Sequence, residues 1–177
     1  MMKAAGHFCT ITKHKFLVMK YCFRVGLYRQ GLLHDLSKYS PTEFLPGARY
    51  YLGYKSPNVR ERERNGASLA WMHHKGRNKH HFEYWVDYQI KTRRPGPVRM
   101  PDRYLIEMFC DRVAASKVYQ GDAYDQEKPL AYFEHGNAKT LMHPDTARVL
   151  EEWLRMLARD GEAATFSHIR SLHRHVY

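Results

Sequence analysis

A cluster of histidines near the middle of the chain carries the clearest chemical signal. Four of the twelve histidines fall within residues 73–81, and an adjacent pair, His34 and Asp35, precedes them. Neutral imidazole and carboxylate are side chains that bind divalent metal ions. The three cysteines are widely spaced and form no C-x-x-C pair, so a metal would be bound through nitrogen and oxygen. The pattern predicts a metal site.

Two further residues of ligand type lie on the apolar faces of predicted helices. His14 belongs to the apolar stripe of a first helix that ends near Gly26. A lone histidine in such a stripe is usually a hydrogen-bonded core residue, but Asp111 lies on the apolar face of a distant helix. A buried carboxylate is costly unless it meets a positive charge or a metal. We therefore interpret both residues as facing a partner that they share with His34 and Asp35.

The paired histidines leave the choice of ligand open. The pairs are His73-His74 and His80-His81, and residues 75–79 between them are predicted to form a loop because they contain glycine and asparagine. Helical periodicity does not choose between the members of a pair. One member of each is expected to bind metal, and the other to orient substrate or support a ligand. The alternative is a histidine-rich surface loop.

Basic residues beside these candidate ligands suggest a phosphorylated substrate. Lys38 lies one helical turn after Asp35, where it either forms a weak surface ion pair or contacts a substrate phosphate beside the metal. Lys75, Arg77 and Lys79 lie between the histidine pairs and are expected to bind phosphate oxygens.

Helices are predicted to hold nearly all of these residues. A short helix over residues 28–39 would carry His34 and Asp35, whose side chains would point about 100° apart. Both would reach one metal only if that helix lay across it, and the alternative is an N-capping Asp35 beside an exposed His34. The sequence Ser40-Pro41-Thr42-Glu43 has the pattern of a capping box and predicts a helix to about Leu52.

The rest of the chain continues the helical pattern. Ser56-Pro57 opens a segment that is interrupted near Asn65-Gly66 and is helical again before His73, and a short helix is predicted for residues 80–88. Residues 91–102 are rich in proline and are predicted to be an irregular loop. Later helices are predicted to begin near Asp102 and to cover residues 127–136, 144–159 and 162–175. Strand-like alternation is absent, so we predict an all-α helical bundle. It is a single domain over residues 1–177, with a core of about 10–120 and C-terminal helices of about 127–175 packed on it.

Composition limits the partners. The formal net charge is +11, which favours an anionic partner such as a nucleotide, another phosphorylated small molecule or nucleic acid, although a solvated basic surface explains it equally well. The sequence has neither an apolar run of about 18 residues nor a visible signal peptide. We therefore expect a cytoplasmic protein without a membrane partner, and a homo-oligomer remains open.

The ordered set of candidate ligands resembles a known superfamily. The order is His14, His34-Asp35, His73/His74, His80/His81 and Asp111, and it resembles the HD superfamily of metal-dependent phosphohydrolases. Residues 34–38 look like its HD-x-x-K element. Together with residues 74–81 and 107–111, they also look like an uncharacterised HD-like family of bacteria and phages. The resemblance covers roughly residues 10–160.

This resemblance implies a helical fold with metal at its centre. By analogy, His14, His34, Asp35 and Asp111 are ligands of one metal. The extra histidines would hold a second metal, as in two-metal HD phosphodiesterases and HD-type di-iron oxygenases, and Asp35 or Asp111 would bridge the two. One or two divalent ions are expected, without a choice among Mn, Fe, Zn, Mg and Ni.

The leading prediction is an enzyme, a metal-dependent phosphohydrolase or phosphodiesterase that acts on a nucleotide or other phosphoester, with Asp35 and Lys38 in catalytic roles. A first alternative is a di-iron oxygenase. A second is a non-catalytic basic module that binds nucleic acid, prompted by the charge, by Arg93-Arg94 and by the thirteen tyrosines.

Overall fold

Apolar side chains recur every three or four residues at the start of the chain and produce a long first helix. The computed structural model describes residues 2–174, apart from the side chain of residue 174. His175 and the predicted end of the last helix at residue 175 lie outside that part. The helices are α1 (Met2–Arg24), α2 (Tyr28–Leu33), α3 (Pro41–Tyr50), α4 (Pro57–Asn65), α5 (Leu69–Arg77), α6 (Asp102–Gln120), α7 (Lys128–His135), α8 (Ala138–Leu141) and α9 (Pro144–Arg174).

The predicted all-α class is confirmed, and a small hairpin is its exception within residues 2–174. Strand β1 (Val86–Gln89) pairs antiparallel with β2 (Arg94–Pro97). The proline-rich segment expected to be a loop therefore supplies β2, and the helix expected over residues 80–88 is reduced to a 3-10 turn, Phe82–Tyr84, followed by β1. Proline is tolerated because each strand has a single neighbour, so the missing N–H groups can face away from the ladder.

Two helix boundaries differ from those predicted. Residues 28–39 do not form one helix, because α2 ends at Leu33 and a 3-10 turn covers Leu36–Tyr39. Helix α5 continues to Arg77, into the segment expected to be a loop. The predicted division of the C-terminal segment at Gly161 is confirmed, because this residue has a non-helical backbone, with φ 84° and ψ 172°, and forms a kink between the two helical parts of α9. Glycine tolerates this backbone conformation because it lacks a Cβ atom.

The apolar core lies where α1, α6 and α9 pack together. Phe109 of α6 and Leu150 of α9 are fully buried, and the ring of Tyr21 on α1 stacks on Phe166 of α9 with centroids 4.8 Å apart. His14 lies two turns before Tyr21 on the same helix and is also buried, but its ring meets Asp111 of α6 instead of apolar side chains. One face of α1 thus supplies the core at its C-terminal end and polar ligand-type groups nearer its middle. No helix within residues 2–174 combines the length and the apolar character needed to span a membrane.

Candidate metal centre

A break in the backbone brings His34 and Asp35 to one point. Helix α2 ends at Leu33, His34 is extended with φ −51° and ψ 127°, and Asp35 takes a left-handed conformation with φ 54° and ψ 24°. This conformation costs a non-glycine residue about 1 kcal/mol. It replaces the helix that would have pointed the side chains apart, and it leaves Nε2 of His34 3.3 Å from Oδ2 of Asp35. Lys15 stabilises the break because its Nζ donates to the carbonyls of Leu32 and His34, at 2.8 and 3.0 Å.

A set of four side chains forms around Oδ2 of Asp35. They are His14, His34, Asp35 and Asp111, and their ligand-type atoms all lie within 4.8 Å of one another. Nε2 of His14 is 2.9 Å from Oδ1 of Asp111 and 3.8 Å from Oδ2 of Asp35. We call this set the first subsite. It contains the four residues that the HD resemblance assigns to one metal.

A second set converges on the other oxygen of the same carboxylate. Nε2 of His74 lies 3.3 Å and Nε2 of His80 3.4 Å from Oδ1 of Asp35. His81 completes this set, again with all ligand-type atoms within 4.8 Å. We call it the second subsite. Each histidine pair therefore contributes, and residues 80 and 81 contribute both members.

Seven buried polar atoms of the two subsites lack hydrogen-bond partners within the described residues. Nε2 of His14, His34, His74, His80 and His81 and both carboxylate oxygens of Asp35 are buried, and within the described residues none makes a hydrogen bond. Several of these atoms approach one another closely but without hydrogen-bond geometry. Lys38 balances part of the charge of Asp35 by an ion pair to Oδ2, but buried nitrogens and carboxylate oxygens without hydrogen bonds are costly, so the cluster favours a further partner. Nitrogen and oxygen donors of this kind fit a divalent metal ion at each subsite.

Two glutamates hold the opposite nitrogens of the rings. Oε1 of Glu107 lies 2.9 Å from Nδ1 of His34 and 3.2 Å from Nδ1 of His80, and Oε2 of Glu43 lies 2.7 Å from Nδ1 of His74. An ionised carboxylate only accepts, so each Nδ1 carries a proton, and each ring in its neutral form presents the lone pair of Nε2. This is the usual arrangement of metal-binding histidine.

Sequence reasoning missed both glutamates. The sequence predicts Glu43 at the third helical position of a capping box, but Ser40 makes no side-chain cap and Glu43 is buried in the interior. Glu107 belongs to the segment 107–111, which resembles an HD-like family, but the sequence pattern does not identify it as a site residue. A signal for it existed, because Glu107 lies one helical turn before Asp111 and so shares its face of α6.

The electrostatics favour ionised carboxylates and differ between the rings. Burial opposes a charge on His34, but Asp35, Asp111 and Glu107 outweigh it and raise the pKa of His34 well above its usual value, so a metal ion at its Nε2 would displace a proton. Burial opposes ionisation of Asp35, but His34, Lys38 and His74 outweigh it and hold the pKa of Asp35 well below its usual range. Burial lowers the pKa of His81 well below its usual value, and the neighbouring rings of His80 and His74 lower it further. His81 is therefore neutral and can act as a ligand without losing a proton.

The remaining predicted site residues take different positions. His73 lies outside both subsites because both of its nitrogens are engaged: Nδ1 is 2.7 Å from Oε1 of Glu43, and Nε2 accepts from Nε of Arg77 at 2.7 Å. Lys38 does reach the centre, with Nζ 2.6 Å from Oδ2 of Asp35. Lys75, Arg77 and Lys79 form no ion pair with any acidic group that the structure describes, and Lys79 instead lies 5.6 Å from the ring centre of Tyr84.

Comparison with known proteins yields one match. The model of a family described as a family of unknown function, DUF5662, matches residues 3–156, which include every residue of both subsites. No curated protein and no solved structure matches the chain.

Proposed function

The chain belongs to the DUF5662 family, whose function is unknown, and we propose from its buried centre that it is a metal-dependent phosphohydrolase that uses two divalent ions. One observation carries the proposal: the two oxygens of the Asp35 carboxylate face different donor sets, Oδ2 the first subsite and Oδ1 the second. A carboxylate in this position can bridge two ions. Paired ions about 4 Å apart are characteristic of enzymes that cleave phosphoesters.

The bound ions would activate a water molecule and neutralise the charge of a phosphate. The protein's own part is to fix that geometry and to limit the access of substrate to it. The side chains of His34, His74 and His80 are at most 2% exposed, whereas Asp111 is 16% and Lys38 is 27% exposed. Substrate would therefore approach past Lys38 and Asp111.

Lys38 is well placed to bind the phosphate. Its ammonium group is held at the open side of the centre by Asp35, and an ammonium group is a common donor to phosphate oxygens. The net charge of +11 further supports an anionic substrate. A nucleotide or another small phosphoester fits these features, and Lys75, Arg77 and Lys79 are proposed to contact more distant parts of it.

The proposal is tested by hydrolysis after reconstitution with metal. The wild-type protein would be loaded separately with Mn²⁺, Fe²⁺, Zn²⁺, Mg²⁺ and Ni²⁺ and assayed on nucleotides, cyclic nucleotides and simple phosphoesters. Metal-dependent turnover that Asp35→Ala abolishes is the expected result. Glu61→Gln is a matched control because Glu61 is a buried acid that accepts from Ser68 outside both subsites. Absence of metal-dependent turnover on the whole panel would contradict the proposal.

A di-iron oxygenase is the second candidate. The second subsite has three imidazoles and one carboxylate, and imidazole-rich sets suit iron as well as zinc and nickel. Iron in the purified protein, with oxygen consumption that Asp35→Ala abolishes and without phosphoester turnover, would favour it over hydrolysis.

A non-catalytic nucleic-acid-binding module stays a prediction. The hairpin of β1 and β2 exposes Arg93 and Arg94, and within residues 2–174 neither forms an ion pair with an acidic side chain. Salt-dependent binding that survives both chelation and Asp35→Ala would support this reading.

A further inference from the structure

One carboxylate oxygen contacts a histidine from each metal subsite. Oε1 of Glu107 lies 2.9 Å from Nδ1 of His34, which belongs to the first subsite, and 3.2 Å from Nδ1 of His80, which belongs to the second. Glu107 is only 5% exposed. The rings of the two histidines lie side by side, with centroids 4.4 Å apart.

We propose that Glu107 is a positioning residue shared by the two subsites, so that metal binding at both depends on one acceptor atom. Glu43 has the narrower role of positioning His74 of the second subsite. The inference rests on the metal binding in the proposed function but not on hydrolysis. It predicts that the two subsites lose affinity together when Glu107 is removed, and that only one does when Glu43 is removed.

Glu107 could instead be read as a ligand of a further metal, because its oxygen and the two Nδ1 atoms lie close enough to hold an ion. In that case Nδ1 of both rings would bind the further ion, while Nε2 of His34 and Nε2 of His80 would bind the ions of the two subsites beside Asp35. Each neutral imidazole has only one nitrogen lone pair available to a metal, so both rings would have to lose their remaining proton. Hydrogen bonds to Glu107 require no such loss, and they leave each Nε2 aimed at Asp35.

The test measures metal binding one subsite at a time. Co²⁺ titrations followed by visible absorption would be made on the wild type and in two single-subsite backgrounds. His81→Ala removes a ligand of the second subsite alone, and His14→Ala a ligand of the first subsite alone. Glu107→Leu and Glu43→Leu would then be added to each background. Glu61→Leu controls for loss of a buried acid elsewhere, and thermal unfolding without metal checks folding.

The wild type is expected to bind two Co²⁺ ions. Glu107→Leu should weaken the remaining site about 10- to 100-fold in both backgrounds, because loss of a residue that orients a ligand typically has this effect. Glu43→Leu should do so only in the His14→Ala background. A stoichiometry below two, or weakening by Glu107→Leu in one background alone, would overturn the inference.

Glu107→Gln provides the conservative comparison because it retains an oxygen acceptor. It should recover most of the affinity that Glu107→Leu loses at both subsites. If Glu107→Leu does not fold, a smaller and equal weakening by Glu107→Gln in both backgrounds is the expected result, and weakening in one background alone would overturn the inference. Turnover is not a readout here, so two bound ions without hydrolysis would contradict the proposed function and leave this inference standing.

Discussion

The ammonium group of Lys38 lies 2.6 Å from Oδ2 of Asp35. Lys38 belongs to the 3-10 turn that follows the break in the backbone at His34 and Asp35. Burial disfavours the charge on Lys38, but Asp35 and then Asp111 outweigh it and raise the pKa of the lysine. Lys38 is therefore a fixed positive charge at the open side of a centre that would bind cations.

Lys38→Met should separate substrate binding from metal binding. Removing the ammonium group removes repulsion of the metal ions, so their affinity should stay equal or increase. Turnover, expressed as kcat/KM for a phosphoester, should fall by about 100- to 1000-fold, the effect typical of losing one donor to a developing charge. Lys38→Arg retains the charge and should retain part of the activity. Loss of both metals in Lys38→Met would instead assign Lys38 a structural role.

Metal stoichiometry should distinguish the bridging residue from the others. Asp35→Ala is expected to abolish stable binding at both subsites because its oxygens face both donor sets. His14→Ala and His81→Ala should each retain about one ion, because each of these residues belongs to one subsite. Elemental analysis of the dialysed proteins measures this directly. Two ions retained by Asp35→Ala would rule out its bridging position.

The left-handed backbone at Asp35 should produce a difference in the free energy of unfolding between the Asp35→Gly and Asp35→Ala variants. Asp35→Gly relieves the conformational cost and Asp35→Ala does not, although both lose the carboxylate. Without metal, we expect the glycine variant to have the larger free energy of unfolding, by about 1 kcal/mol. Chemical denaturation in a chelator measures the difference. Equal stability, or greater stability of the alanine variant, would contradict the assigned conformation.

Gly47 should tolerate no side chain while His7 is present. A Cβ atom at Gly47 would overlap the ring of His7, so Gly47→Ala should destabilise the protein by about 1 to 3 kcal/mol. His7→Ala should suppress much of that effect in the double variant. Gly76→Ala is the matched control, because a Cβ atom there meets nothing within 4 Å and alanine is favoured in the exposed part of α5. Denaturant unfolding of the variants tests the contact, and a harmless Gly47→Ala would argue against it.

His7 should make the fold sensitive to acid. Burial, and to a lesser extent Lys38, lowers the pKa of His7 from 6.5 to about 4. The unfolded chain therefore binds a proton between these two values that the folded chain does not, so this contribution to stability is complete above pH 6.5 and decreases as the pH falls to 4. Relative to His7→Gln, the wild type should lose about 3 kcal/mol between pH 7 and pH 4, given about 1.4 kcal/mol per pKa unit. Parallel stability curves for the two proteins would refute this assignment.

The sequence predicts the helical class because the signals for it are local. The spacing of Ile11, His14 and Val18 places these residues on one face of a helix, and the inward direction of His14 follows from the same spacing. The direction of Asp111 follows from its position on α6. These arguments need no knowledge of tertiary contacts, and the structure brings the two side chains within 2.9 Å of each other.

Other features depend on contacts between distant segments. Aspartate tolerates a left-handed backbone better than most residues, but the local sequence does not require one at Asp35, and the turn is held by Lys15 from another helix. The pattern Ser40 to Glu43 favours a capping box, but the two histidines of α5 draw Glu43 inward instead. The prolines of β2 favour an irregular loop when only the sequence is considered. The sequence alone does not show that β2 has a single neighbouring strand, which is what makes proline tolerable there.

The order of the ligands along the chain has a consequence for a protein cut in two. A cut within α4 would leave His14, His34 and Asp35 on the first fragment. The second fragment would carry the remaining residues of the two subsites, His74, His80, His81 and Asp111. Neither fragment could form a subsite alone, because the first subsite needs Asp111 and the second needs Asp35. Restored metal binding on mixing the fragments would therefore report that the two halves had found each other and reassembled.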